Sequence, residues 1–251
     1  MLVEVCAYSL DSCLTAQEAG AGRIELCGGL SEGGITPSAG LIRIARQHLT
    51  IPLYVMIRPR GGDFVYTPSE LAVMRADIES AKSLGADGLV FGILRPDGTV
   101  DEAQTRQLIE LAYPLPVTFH RAFDMTRDPL EALEAVIRTG AARILTSGQQ
   151  PTAEAGLPVL QQLVQQAAGR IEIMAGAGVN AGNARQIRKT RVDALHLSGR
   201  QSLPSPMIYR NPGLSMASVV PDEYERIEAG TDAIRQVIKS LSADQLPENS
   251  I

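Results

Sequence analysis

Two cysteines, Cys6 and Cys27, each end a short apolar run that carries a glutamate two positions earlier, Glu4 and Glu25. The same separation relates Cys6 to Cys27 and Glu4 to Glu25, so one strand register would set the two pairs side by side. Adjacent thiolates with soft neighbours such as Met56 or Met174 suit Cu(I), which prefers sulfur ligands. The bland alternative is that buried cysteines act as small hydrophobes, a common use of the residue. Cys13 falls on the first helical stretch and is set aside.

A second group suits acid and base chemistry. His120 and His196 stand at or just before the ends of apolar runs, where an imidazole titrates close to neutral pH. Glu25 and Glu172 lie on runs of the same kind and, with the histidines, are candidate general acids, general bases or metal ligands. His48 belongs to a helix end beside Arg43 and Arg46, where a histidine meets the helix dipole, and it is assigned no chemistry. Around these groups Arg58, Arg60, Arg121 and Arg200, with Asp124, form a polar rim. The turns Ala175-Gly176-Ala177-Gly178 and Ser198-Gly199-Arg200 resemble glycine turns that hold phosphate on backbone N–H groups. The alternative is that they are only tight strand-to-helix turns.

The elements that must position these residues are eight short runs: Leu2 to Cys6, Ile24 to Cys27, Leu53 to Ile57, Gly88 to Gly92, Val117 to His120, Arg143 to Thr146, Ile171 to Met174 and Ala194 to Leu197. Helical spacing separates them; Leu71, Met74, Ile78 and Ala81 share one face. Thr67-Pro68-Ser69-Glu70 and Asp128-Pro129-Leu130-Glu131 are helix starts, with a capping oxygen, proline and glutamate in order. Gly20, Gly85 and Gly140 mark helix ends. Regular strand–helix alternation over 251 residues predicts a single (β/α)₈ barrel domain in preference to a doubly wound open sheet. An irregular segment is predicted over 198–220 and a final helix over about 221–241.

In such a barrel the strand residues alternate between helices and axis. Placing Val3/Val5, Ile24/Leu26, Val55/Ile57, Val117/Phe119, Ile171/Ile173 and Leu195/Leu197 outward leaves Glu4/Cys6, Glu25/Cys27, Met56/Arg58, Thr118/His120, Glu172/Met174 and His196/Ser198 inward. Barrel interiors are usually filled by branched aliphatic side chains, and burying carboxylates without partners is costly. A polar axis therefore predicts a binding or catalytic site at the C-terminal ends of the strands. A single inward glutamate can also serve only as a salt bridge in the barrel floor.

Composition narrows the partners. A formal charge of −5 with interspersed signs provides no basic stripe for nucleic acid and no polybasic cluster for a membrane surface. The N-terminal stretch has no basic leader followed by an apolar core, and the three cysteines form no CxxC pair, so a cytoplasmic, thiol-reduced protein is expected. Barrels commonly form symmetric homo-oligomers, and the Pro-rich segment 198–220 is a candidate contact.

Several motifs in one order are similar to a known family: Arg23-Ile24-Glu25-Leu26-Cys27, Gly33-Gly34-Ile35-Thr36-Pro37-Ser38, Met56 to Phe64 through Arg58-Pro59-Arg60-Gly61-Gly62, Phe119-His120-Arg121-Ala122-Phe123-Asp124 and Leu145-Thr146-Ser147-Gly148. From Met1 to about Arg200 the chain resembles the CutC copper homeostasis family. The resemblance implies a cytoplasmic barrel associated with copper tolerance and copper binding. Carried onto this sequence, it makes Cys6 and Cys27 the candidate Cu(I) ligands. The matching motifs also hold Glu25, Arg58, Arg60, His120, Arg121 and Asp124, which are not soft ligands. They sustain an alternative reading as a barrel enzyme acting on a small anionic, perhaps phosphorylated, molecule.

Overall fold

All eight apolar runs are strands, and they pair in sequence order into one closed parallel barrel in the computed structural model, which describes residues 1–211, 213–214 and 223–242. The strands are β1 Leu2–Ala7, β2 Arg23–Leu26, β3 Leu53–Met56, β4 Gly88–Phe91, β5 Val117–Phe119, β6 Arg143–Thr146, β7 Glu172–Ala175 and β8 Ala194–Leu197. Helices α1 Leu10–Glu18, α2 Ala39–His48, α3 Pro68–Ser83, α4 Glu102–Ala112, α5 Pro129–Thr139, α6 Leu157–Ala167 and α7 Ala184–Arg188 follow strands one to seven. This is the predicted (β/α)₈ architecture.

Local chemistry sets the boundaries. At α3 the Glu70 N–H donates to Thr67 Oγ1 at 3.3 Å and the Thr67 N–H donates back to Glu70 Oε2 at 2.7 Å, a complete capping box. The helix then buries Leu71, Met74, Ile78 and Ala81, the face its spacing predicts. Asp128 caps α5 by accepting from the N–H groups of Leu130 and Glu131. Gly140 closes the same helix at φ +85°, a conformation that disfavours a side chain.

The alternation of strand residues is also as predicted. Val3, Val5, Ile24, Leu26, Val55, Ile57, Val117, Phe119, Ile173, Leu195 and Leu197 join the core between barrel and helices. Cys6, Cys27, Tyr54, Met56 and Val90 pack together as a separate cluster.

Two expectations are corrected. The register of β1 on β2 pairs Glu4 with Arg23 and Cys6 with Glu25, two residues away from the one that would set Glu4 beside Glu25. A slip of two preserves which face each side chain occupies, so the inward set survives while its neighbours change. The segment expected to be irregular contains β9, Arg200–Pro204, which pairs antiparallel with β10, Glu225–Ala229. The final helix, α8, therefore begins later than expected, at Thr231, and ends at Ser242. The cause is a set of contacts far apart in sequence: Glu228 accepts from Ser9 and from Ser12 at the start of α1, and the Ala229 N–H donates to Ser12 Oγ at 2.9 Å. Residues 212 and 215–222 of the two predicted segments lie outside the described residues.

Candidate metal and ligand site

The floor of the barrel is built first, because it fixes the histidine above it. Arg23 forms a buried ion pair with Glu4, and its guanidinium lies 4.6 Å from the centroid of the Tyr54 ring. Arg143 approaches the same ring at 5.5 Å and donates to Thr118 Oγ1 and to Glu172. Gly88 makes room for that ring, since a Cβ there would lie 2.5 Å from it. Glu172 thus sits at the N-terminal end of β7, its side chain 52% exposed, on the far side of the barrel from the strand ends. The geometry gives it the floor salt-bridge role, and it is corrected out of the candidate site.

Above this layer Glu4 pairs with His196 across the β1–β8 register, Nδ1 lying 2.8 Å from Glu4 Oε1. That contact leaves Nε2 turned toward Glu25, 3.8 Å from Oε2. Cys6, Glu25 and His196 each bring one donor atom to within 4.8 Å of the others. The Cys27 sulfur lies 3.7 Å from that of Cys6 and 3.6 Å from a Glu25 oxygen. Cys27 is fully buried, with Gly34 over it: a Cβ on Gly34 would lie 3.2 Å from the sulfur.

Charge in this cluster is ordered by proximity. Burial opposes ionisation of Glu4, but His196 and Arg23 outweigh it and hold the carboxyl at about 2. Burial likewise opposes a charged His196, yet Glu25, Cys6 and Glu4 hold its proton well above the usual histidine range. The contact with Cys27, working against burial and joined by His196, draws the Cys6 thiol well below its ordinary value. Cys27 moves the other way, because the contact with Cys6 and burial both keep its proton on. Glu25 is pushed well up by burial, only partly eased by His196. The surroundings thus favour the charged forms of Glu4, Cys6 and His196 and disfavour those of Glu25 and Cys27.

A cavity of about 300 Å³ opens above the cluster. Its lining includes Cys6 near the end of β1 and Tyr8 just after it, Arg58 after β3, His120 after β5, Gly178 after β7 and Ser198 and Arg200 after β8, so it lies at the C-terminal ends of the strands. Burial and the nearby Arg58 charge depress His120 to about 3, leaving it neutral.

Several predicted residues do other work. Arg60 pairs with Asp63 and Glu70 and lies outside the cavity lining. Arg121 lines the cavity but is paired with Asp124 at 2.8 Å. Asp124 is a loop latch: it accepts from the N–H groups of Ser147 and Gln149 and from the Thr146 hydroxyl. Gly176 lies against Leu145 and His196, and Gly199 against Ile234, both off the lining. Tyr8 and Phe64 line the cavity without having been singled out. Tyr8 was legible as the next inward residue after Glu4 and Cys6; Phe64 comes from a loop, where no periodicity applies.

The family model that matches is the CutC family, over residues 1–201. The chain belongs to the CutC family. A CutC family protein of Bacteroides fragilis is 50% identical over 245 residues, covering 96% of this chain and 98% of that protein. The copper homeostasis protein cutC homolog of Mus musculus is 50% identical over 225 residues, 89% of this chain and 83% of its own. A CutC crystal structure from Streptococcus agalactiae superposes with a TM-score of 0.76 at 38% identity, over 79% of this chain and 98% of its own. The CutC model ends at Gln201, just inside β9, whereas the Bacteroides relative matches along nearly the whole chain.

Proposed function

We propose that this CutC protein binds one Cu(I) ion between Cys6 and Cys27, with His196 Nε2 as a third donor. The observation that carries the reading is the pair of sulfurs 3.7 Å apart beside an imidazole whose other nitrogen is engaged by Glu4. At a metal–sulfur distance of about 2.3 Å, such a pair subtends an angle of roughly 107° at the metal. A bent arrangement of this kind leaves room for a further ligand. Glu4 on Nδ1 supplies the carboxylate that commonly orients a metal-bound histidine. Glu25 offers only oxygen, a donor that Cu(I) disfavours against sulfur, so it is read as a neighbour. On binding, Cys27 and the imidazolium release their protons, and the two thiolates offset the metal charge.

The copper-homeostasis name of the mouse relative supports the same cargo. Three buried, unpaired thiols support a reducing, cytosolic setting. Among the described residues no helix is long and apolar enough to cross a membrane. Exposed Ile208 and Tyr209, beyond β9, support self-association, which light scattering measures. The metal reading is tested by anaerobic Cu(I) titration against a competing chelator. The double variant Cys6→Ser/Cys27→Ser should lose affinity by on the order of 100-fold or more. Equal affinity for variant and parent places the copper elsewhere.

A further inference from the structure

The cavity holds far more than a metal ion: at about 300 Å³ it has room for a small organic molecule, since a water takes only about 30 Å³. Much of its wall is apolar, through Met56, Phe64, Leu145 and Leu197. Against that wall stand two polar groups that the copper site does not use.

His120 is 4% exposed. Its Nδ1 accepts from the Ala122 N–H at 3.3 Å, so the ring proton sits on Nε2. That Nε2 is buried and has no hydrogen-bond partner among the described residues. A buried donor without an acceptor is costly unless something fills the position. Arg58, which brings a guanidinium cation, is 6% exposed. Its Nη1 donates to the carbonyls of Glu32 and Gly34 at 2.9 Å and its Nη2 to that of Gly62 at 2.7 Å. No carboxylate lies within ion-pair distance of it among the described residues, and the nearby Asp63 is engaged by Arg60. Both groups pack on Phe64, the guanidinium 4.9 Å from its centroid and the imidazole 4.9 Å away edge-on. One wall therefore offers an unneutralised positive charge beside an unused donor.

We propose that this wall receives the carboxylate of a small monocarboxylic acid, His120 Nε2–H donating to it and Arg58 supplying the counter-charge. The body of the acid lies against the apolar wall above the sulfur floor. The terminal nitrogens of Arg58 donate to carbonyls, but its Nε, like His120 Nε2, is buried without a partner among the described residues, so the wall has two unpartnered side-chain N–H groups and one fixed charge. Two donors and one charge match the two oxygens and single charge of a carboxylate better than a phosphate, with its three strong acceptor oxygens and higher charge. The site does not depend on copper occupying Cys6 and Cys27.

The test uses the full-length, metal-free protein with ¹⁵N-labelled histidine, titrated at constant ionic strength with sodium butyrate, neutral butyramide and inorganic phosphate. Butyrate should shift the His120 Nε2 resonance saturably and bind about tenfold or more tightly than butyramide, the margin expected of a charge-assisted hydrogen bond. Phosphate should leave that resonance in place. His120→Phe should lose a similar factor for butyrate, and the wild-type titration decides alone should that variant fail to fold. Cys6→Ser/Cys27→Ser should keep butyrate binding while losing Cu(I), which separates this site from the copper reading. Equal affinity for butyrate and butyramide, an unmoved His120, or phosphate displacing butyrate overturns the proposal.

Discussion

His196 and Glu4, one on each side of the β8–β1 seam, are joined by a 2.8 Å contact between Nδ1 and Oε1, and this contact leaves the other ring nitrogen for the cluster of Cys6 and Glu25. Outer partners of metal-bound histidines typically contribute 10–100-fold to metal affinity. Glu4→Gln is therefore expected to weaken Cu(I) binding by about that factor with both cysteines intact, read by the chelator competition. Unchanged affinity would remove His196 from the ligand set.

The same carboxylate neutralises Arg23, whose side chain is 5% exposed, while that of Glu4 is 0% exposed. Removing one partner of a buried pair typically costs about 3–5 kcal/mol. Chemical denaturation of Glu4→Gln should show a loss in that range. Glu172→Gln, at the opposite end of the barrel, should leave Cu(I) affinity untouched; a change there would contradict its assignment to the floor.

Glu25 behaves differently, because burial favours its neutral form. A glutamine at that position reproduces its shape and its neutrality. Glu25→Gln should change unfolding free energy by less than about 1.5 kcal/mol, well under the cost of breaking a buried ion pair. A denaturant midpoint indicating a much larger loss would make Glu25 a charged scaffold residue.

His120 gives stability a pH dependence of definite sign. Its folded pKa of about 3 lies below the unfolded value near 6.5, so the unfolded chain takes up a proton that the folded chain refuses. Its contribution is fully present above pH 6.5 and is lost progressively as pH falls toward 3. The slope approaches about 1.4 kcal/mol per pH unit once the unfolded histidine is protonated. His120→Gln should flatten the stability profile between pH 6.5 and 5 relative to wild type. Parallel profiles would show that His120 is charged in the folded protein.

Gly34 holds φ +102° and covers the Cys27 sulfur. Gly34→Ala should both destabilise the fold, by about 1 kcal/mol or more from backbone strain, and lower Cu(I) affinity by displacing Cys27. Thermal melts and chelator competition measure the two effects separately. An alanine variant with parental affinity would mean that the position of Cys27 is immaterial to the metal.

Most of the barrel was legible because its signals are local. Thr67 and Glu70 cap a helix through neighbours in sequence, and the alternation of Val3 and Val5 with Glu4 and Cys6 needs only the pleat of one strand. What was not legible depends on partners distant in the chain. The two-residue difference in register that sets Cys6 beside Glu25 leaves no trace in periodicity, because it exchanges neighbours without changing faces. Glu172 was inward by alternation, but its depth along the axis placed it in the floor with Arg143. Arg121 and Asp124 read as ligand groups and prove to be partners of one another. The β9–β10 hairpin, held by Ser9 and Ser12 through Glu228, is set by contacts across more than 200 positions, beyond any local pattern.

The central claim is that copper is held by both sulfurs and by His196, and X-ray absorption at the copper edge of the Cu(I)-loaded protein addresses it most directly. The account predicts a Cu(I) edge with two sulfur scatterers and one nitrogen scatterer in the first shell, the nitrogen signal disappearing in His196→Ala. A first shell without sulfur, or with a single sulfur, would contradict it.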